Sequence, residues 1–200
     1  MGQVALQRMT ADLTAVPPSL AAAHARFLHG HRDVLVTFGP IFTAGGAPAG
    51  YVYQTDFPGT TTDAMDAFLA EDPFGREGLY VSSFVSGWKC ALAHRQPTLP
   101  PRANLTGFFF HGTAVPDATA RRNAIVDAHR NHLMPKDDSN CVSRGPLTDP
   151  TGEPWLGSAM VYEFEDRAAL DAFFRDEPYC VNRIYQTVDT YHWQRGVMAG

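Results

Sequence analysis

Apolar and polar positions along this chain switch period several times, and the switches outline its elements. Residues 107–111, Gly-Phe-Phe-Phe-His, form a short unbroken apolar run, the signature of a buried strand. Over 118–134, Ile125, Val126, His129, His132 and Leu133 recur at helical spacing, and Pro135 ends the helix. Residues 141–147 and 157–164 read as strands, with turn chemistry at Asp149-Pro150-Thr151-Gly152 between them. Asp166 caps a helix carrying Ala169, Leu170, Phe173 and Phe174. That helix stops at Glu177-Pro178, because a residue before proline disfavours helical backbone. Residues 185–193 form a final strand. The first half reads the same way, with strands over 3–9, 34–41, 50–57 and 79–88 and helices over 19–30 and 62–70.

The agreement extends to single residues. His24, Gly39-Pro40, Gly50, Asp72-Pro73-Phe74, Tyr80 and Trp88 return as His129, Gly145-Pro146, Gly157, Glu177-Pro178-Tyr179, Tyr185 and Trp193, at offsets between 105 (His24 to His129) and 107 (Gly50 to Gly157). Such a constant offset implies a tandem duplication. The expected organisation is one repeat over 1–92, a proline-rich, semi-rigid linker over 93–103 and a second repeat over 104–200. A βαββαβ order is the ferredoxin-like, split-βαβ arrangement, with two helices on one face of a four-stranded antiparallel sheet. The other face is apolar and needs cover. The fold expected is therefore α+β, two repeats packed sheet to sheet as an α/β barrel made by one chain, a pseudo-dimer open to further homo-oligomerisation.

Composition narrows the function classes. With 44% hydrophobic and 18% charged residues the chain is globular rather than disordered. A net charge of −5 and no basic run beyond Arg121-Arg122 argue against nucleic acid as a partner. The first ten residues lack an apolar core of signal-peptide length, and no apolar stretch approaches the roughly 18 residues of a membrane span, so the expectation is a cytoplasmic protein off the membrane. Cys90, Cys141 and Cys180 lack CxxC spacing and read as reduced, buried thiols. His129 and His132 sit three residues apart, but Phe27 replaces the second histidine in the first half and no third ligand is indicated, so neither a metal nor another cofactor is expected. Nucleotide loops, HExxH and GxSxG are absent.

The ordered set of landmarks resembles the YCII-related (YciI-like) family, twice over and across nearly the whole chain. That resemblance implies a dimeric α/β barrel, with relatives that include muconolactone isomerase, a dehydrochlorinase of chlorinated aromatics and cofactor-free monooxygenases. It also implies a catalytic histidine and aspartate, which map to His24 and Asp72, with His129 and Glu177 in the second half. The second half departs by carrying glutamate, one methylene longer. The arginine often found three residues before the histidine is Ala21 or Val126 here. The intact pair therefore favours the first half.

A histidine oriented by a carboxylate can take and return a proton near neutral pH, which suits isomerisation, β-elimination or ring closure on a small, aromatic or lactone metabolite. Helical spacing turns His24 inward with Leu20, Phe27 and Leu28, and His129 inward with Ile125 and Leu133. Satisfied core histidines and solvated helix ends at Asp72 and Glu177 are the competing structural readings. Candidate substrate contacts are Ser143 and Arg144, the latter for an anion, with aromatic lining from Tyr51, Tyr53, Phe108, Phe109, Phe110 and Trp155. Three functions stay open: an acid–base enzyme, a cofactor-free oxygenase on the same barrel, and a small-ligand binding module.

Overall fold

The computed structural model describes residues 2–9, 15–59 and 61–199. Its first half runs β1 (Gly2–Met9), α1 (Pro18–Gly30), β2 (Leu35–Phe42), β3 (Pro48–Thr55), α2 (Asp63–Glu71), α3 (Pro73–Arg76) and β4 (Tyr80–Trp88). The second runs β5 (Thr106–Ala114), α4 (Thr119–Leu133), β6 (Cys141–Thr148), β7 (Trp155–Phe164), α5 (Arg167–Arg175), α6 (Pro178–Val181) and β8 (Tyr185–Trp193). All eight strands expected from the sequence are present. The short helices α3 and α6 were not expected: the proline that stops α2 or α5 also opens a new turn, since its fixed φ suits the first helical position.

The strands close into an antiparallel barrel in the order β1-β3-β2-β8-β5-β7-β6-β4. β1 lies between β3 and β4, with β2 beyond β3; β5 lies between β7 and β8, with β6 beyond β7. Instead of two stacked sheets, the edge strands join. Ile41 and Phe42 pair with Trp193 and His192, and Gly87 and Trp88 pair with Thr148 and Leu147. These short seams leave the edge strands no unpaired partner to seek elsewhere along those segments.

Alternation along each strand divides the core. Val4, Leu6, Val52, Phe109, Val142, Ala159, Val161, Trp88 and Trp193 meet inside the barrel. Their neighbours Ala5, Tyr51, Tyr53 and Phe38 pack under α1 and α2, while Phe108, Phe110, Met160 and Tyr162 pack under α4 and α5. Each repeat of apolar alternation therefore finds burial on both faces, which an isolated four-stranded sheet would not provide.

Each Gly-Pro marks a crossing. After β8 the chain runs along β2, where Gln194 N–H donates to the Pro40 carbonyl (3.1 Å) and Gly196 N–H to that of Phe38 (3.0 Å). After β4 it runs along β6, where Ala91 N–H donates to the Arg144 carbonyl (2.8 Å). A Cβ on Gly145 would overlap the Lys89 carbonyl oxygen, and one on Gly39 that of Gln194. Gly145→Ala should therefore cost roughly 1–3 kcal/mol through overpacking. Urea denaturation measures this, and an unchanged midpoint would show that the crossing strand yields freely.

The segment between β4 and β5 is held at both ends. Gln96 Oε1 accepts from Phe38 N–H (2.7 Å) and Arg95 donates to Asp56 (2.8 Å), while Arg102 donates to Glu163 (2.9 Å). All three cysteines are free thiols. Only Cys141 is fully buried; Cys90, just after β4, and Cys180, inside the one-turn α6, are half-buried. Among the described residues no helix is long and apolar enough to cross a membrane.

Candidate active site

In the second half, α4 presents His129 toward α6, whose first residues hold the partner acid. Glu177 caps α6: its Oε1 accepts from Tyr179 N–H (3.0 Å) and its Oε2 from Cys180 N–H (2.9 Å). Oε1 also meets His129 Nδ1 at 2.6 Å, and Glu177 is wholly buried. Burial alone would raise the carboxyl's pKa. The His129 hydrogen bond, the two backbone donors and the His129 charge outweigh burial and hold it below the ordinary glutamate range. The His129 ring lies on Tyr179 at 3.8 Å and 2°. With Nδ1 on the acid, Nε2 lies on the far side of the ring, with no hydrogen bond among the described residues.

His129 lines a cleft of about 230 Å³ between α4 and the β6–β7 surface. Leu133, Met160 and Pro146 supply apolar lining, Trp155 and Ser158 flank it, and Arg122, Arg130, Arg144 and Lys89 surround it. Tyr185 donates its hydroxyl to Ser158 Oγ (2.9 Å) from beneath. Arg144 spends two donors on Asp137, through Nε (2.6 Å) and Nη2 (2.7 Å).

The first half gathers the same residue types in an enclosed setting, with His24 and Asp72 both buried. His24 is 4% exposed, stacked on Phe74 at 3.8 Å and edge-on to Tyr51 at 5.1 Å. Its Nε2 stands 3.6 Å from Asp72 Oδ1, beyond hydrogen-bond range. Tyr53 intervenes: its hydroxyl donates to Asp72 Oδ2 (2.6 Å) and lies 2.9 Å from His24 Nε2. Burial pushes the His24 pKa down to about 3 and raises that of Asp72 against the Tyr53 and Phe74 donors. Neutral His24 with its proton on Nε2 then donates to Tyr53, which donates onward to the acid.

This burial has a pH signature. A folded pKa of about 3 against about 6.5 unfolded means the native state refuses a proton that the unfolded chain accepts. The resulting stability is fully present above pH 6.5 and is lost as pH falls from there toward 3, by about 2 kcal/mol on reaching pH 5. Asp72 acts oppositely, gaining stability as pH falls through its raised folded pKa. His24→Gln should therefore lose less stability than wild type between pH 7 and pH 5. Equal losses in the two proteins, by chemical denaturation, would mean that His24 takes up its proton while folded.

The other sequence candidates are dispersed. Ser143 turns into the barrel and donates to Gln54 Oε1, because a bulge between Cys141 and Ser143 resets the alternation of β6. Phe109 also faces the barrel interior, while Phe108 and Phe110 face the helices, Phe110 stacked on Phe174 at 4.4 Å. Tyr51 and Tyr53 fill the space beside His24. Trp155 and Arg144 alone join His129 at the cleft. His132, set beside His129 in the sequence, instead bonds the Phe173 carbonyl (2.9 Å). No group of three or more His, Cys, Asp or Glu gathers to hold a metal among the described residues. Sequence reasoning missed Arg122, although it stands seven residues before His129 and so on the same helix face. It also missed Lys89, which arrives from the other half of the chain and leaves no local signal.

Residues 107–194 match the model of the YCII-related domain. The match falls on the half whose cleft is open. No curated protein matches the chain in sequence. Among solved structures, a proposed monooxygenase from Fusobacterium nucleatum subsp. nucleatum is 10% identical over 98% of this chain and 91% of that one, with a TM-score of 0.61. A mutant chlorite dismutase from Candidatus Nitrospira defluvii is 12% identical over 97% and 90%, with a TM-score of 0.59. A shorter match, to 5-chloro-2-hydroxyhydroquinone dehydrochlorinase from Burkholderia phenoliruptrix in complex with 2,5-dihydroxybenzoquinone, is 20% identical over 45% and 95%, at 0.41. The two long matches share the fold, that of the dimeric α/β barrels.

Proposed function

We propose that the chain is an acid–base enzyme acting on a small metabolite, with His129 as the proton-transfer group and Glu177 as its orienting acid. The observation that carries this reading is the 2.6 Å Nδ1–carboxylate contact behind a histidine that lines a cleft. A low-pKa carboxylate fixes the ring's tautomer and stabilises the imidazolium formed when Nε2 accepts a proton. Such transfer serves isomerisation, elimination or cyclisation and needs no cofactor for its proton steps.

The reading includes a tandem duplication, with repeats over 1–92 and 104–200 joined by 93–103, and one working site. The sequence offsets and the matching strand pairings support it. Aligned by those offsets, Tyr51 and Tyr53 correspond to Ser158 and Met160 (107), Phe38 to Arg144 (106) and Ala25 to Arg130 (105). Strand register agrees, since Phe38 pairs with Tyr53 as Arg144 pairs with Met160. Two phenols and a phenyl ring thus occupy in the first half what is open and cationic in the second. The terminal segment completes the closure: Ala199 N–H donates to the Ala25 carbonyl (3.1 Å), and Gly196 packs on Phe38 and Tyr51. The first repeat is then a structural partner that covers the second, and the folded unit is a pseudo-dimer in one chain.

The test is proton exchange. Lactones and hydroxylated aromatics incubated with the enzyme in D2O should take up deuterium at an acidic carbon, read by NMR. An oxygenase on this barrel would instead consume dioxygen with the same compounds. Oxygen uptake without deuterium exchange contradicts the proposal.

A further inference from the structure

We infer that the second cleft binds a small carboxylate on a flat, unsaturated or aromatic body, and that Arg122 and Lys89 recognise its charge. This rests on the reading of that cleft as the working site and names its ligand class. The chain carries a net charge of −5, yet four cationic side chains converge on one cleft. Three carboxylates stand near them, of which Asp127 lies 3.7 Å from the exposed Arg130. Glu177 is wholly buried behind His129, and Asp137 gives both its oxygens to Arg144. Among the described residues, neither Lys89 nor Arg122 has a carboxylate within 4.0 Å. Unbalanced cations at a concave, partly dry surface favour an anion.

The polar atoms left over agree. Arg122 lies over the Trp155 ring, 5.4 Å from its centroid, which fixes the guanidinium at the cleft wall. Its Nε, the Trp155 Nε1 and the Tyr179 hydroxyl are buried with no hydrogen-bond partner among the described residues. The two nitrogens can only donate and the hydroxyl can donate too, so an acceptor is the partner that would serve all three. Buried donors are rarely left unpaired, and a carboxylate oxygen pairs with such groups strongly. Beside Ser158 and Tyr179, the wall formed by Val126, Leu133, Pro146 and Met160 carries no polar side chain and suits an apolar body.

Size sets the limit. An apolar cavity of about 150 Å³ accommodates benzene, so about 230 Å³ holds one ring or a short conjugated chain with its carboxylate. Lys89 follows β4 and comes from the first half of the chain, so the site is complete only when the two halves are assembled.

Benzoate and cinnamate are the probes, with benzamide and cinnamamide as neutral isosteres, and calorimetry on the full chain is the readout. The acids should bind at least about tenfold more tightly than the amides, with affinity falling as salt rises. Arg122→Gln and Lys89→Met should each weaken the acids by about tenfold and leave the amides unchanged. Lys89 is exposed, so its variant folds even if Arg122→Gln does not. Equal binding of acids and amides, no binding of either acid, or acid binding indifferent to both variants overturns the inference. Acid binding as described, with turnover untouched by His129→Gln, would retain the anion site and reject the acid–base reading. Equal acid and amide binding with turnover lost in His129→Gln would do the reverse.

Discussion

His129→Gln should fold normally and lower kcat by roughly two to four orders of magnitude, the scale of losing a general acid–base group. Glutamine retains a donor toward Glu177 but cannot carry a proton from Nε2. The cleft loses little packing, because the histidine is only partly buried. His24→Gln should behave in the opposite way, with turnover near wild type and a change in stability. Its imidazole is buried among Phe74, Tyr51 and Tyr53. Kinetics on both variants, beside their denaturation curves, separate the two roles. Loss of turnover in His24→Gln with His129→Gln fully active would exchange the assignments of the halves.

The largest stability effect is expected at Glu163. This buried carboxylate accepts from Arg102 through Oε2 (2.9 Å) and from Arg195 through Oε1 (3.0 Å) and Oε2 (3.2 Å). Arg195 also donates to the Leu99 carbonyl (3.0 Å), so one acid ties β7, the segment before β5 and the segment after β8 together. Glu163→Ala leaves two largely buried guanidinium groups without a counter-charge and should cost roughly 3 kcal/mol or more. For a chain of this length that lowers Tm by roughly 6–12 °C. The terminal segment should loosen with it, so the Gln194 and Gly196 amides, bonded to Pro40 and Phe38, should exchange faster with solvent. A variant of unchanged Tm with those amides still protected would show that backbone pairing alone holds the segment.

Much of the fold was legible because alternation and caps are local. Val4, Leu6 and Val52 against Ala5, Tyr51 and Tyr53 announce strands, and Asp166 announces α5, whose Ala169 N–H it accepts (2.8 Å). A barrel was expected from the two open sheet faces, but the strands that close it were not legible, since each seam rests on two residue pairs that no periodicity encodes. Parity failed where the pattern gave none. The unbroken run Phe108-Phe109-Phe110 conceals which ring faces the barrel, and the bulge before Ser143 reverses the simple count. At the site, the recurrence of histidine and acid pointed to both halves alike. What separates them is the size of their neighbours, Tyr51 and Tyr53 against Ser158 and Met160, and a terminal segment that folds back from β8. Preference for the intact His24–Asp72 pair weighed residue identity, whereas access is decided by that packing.

The most direct test of the account is a crystal structure with a bound ligand, using a small aromatic or lactone compound chosen by thermal shift. The account predicts density in the second cleft, within hydrogen-bond reach of His129 Nε2, with Glu177 still on Nδ1 and the segment 194–199 still seated over Phe38 and Tyr51. Density beside His24, with that segment displaced and the second cleft empty, would contradict it.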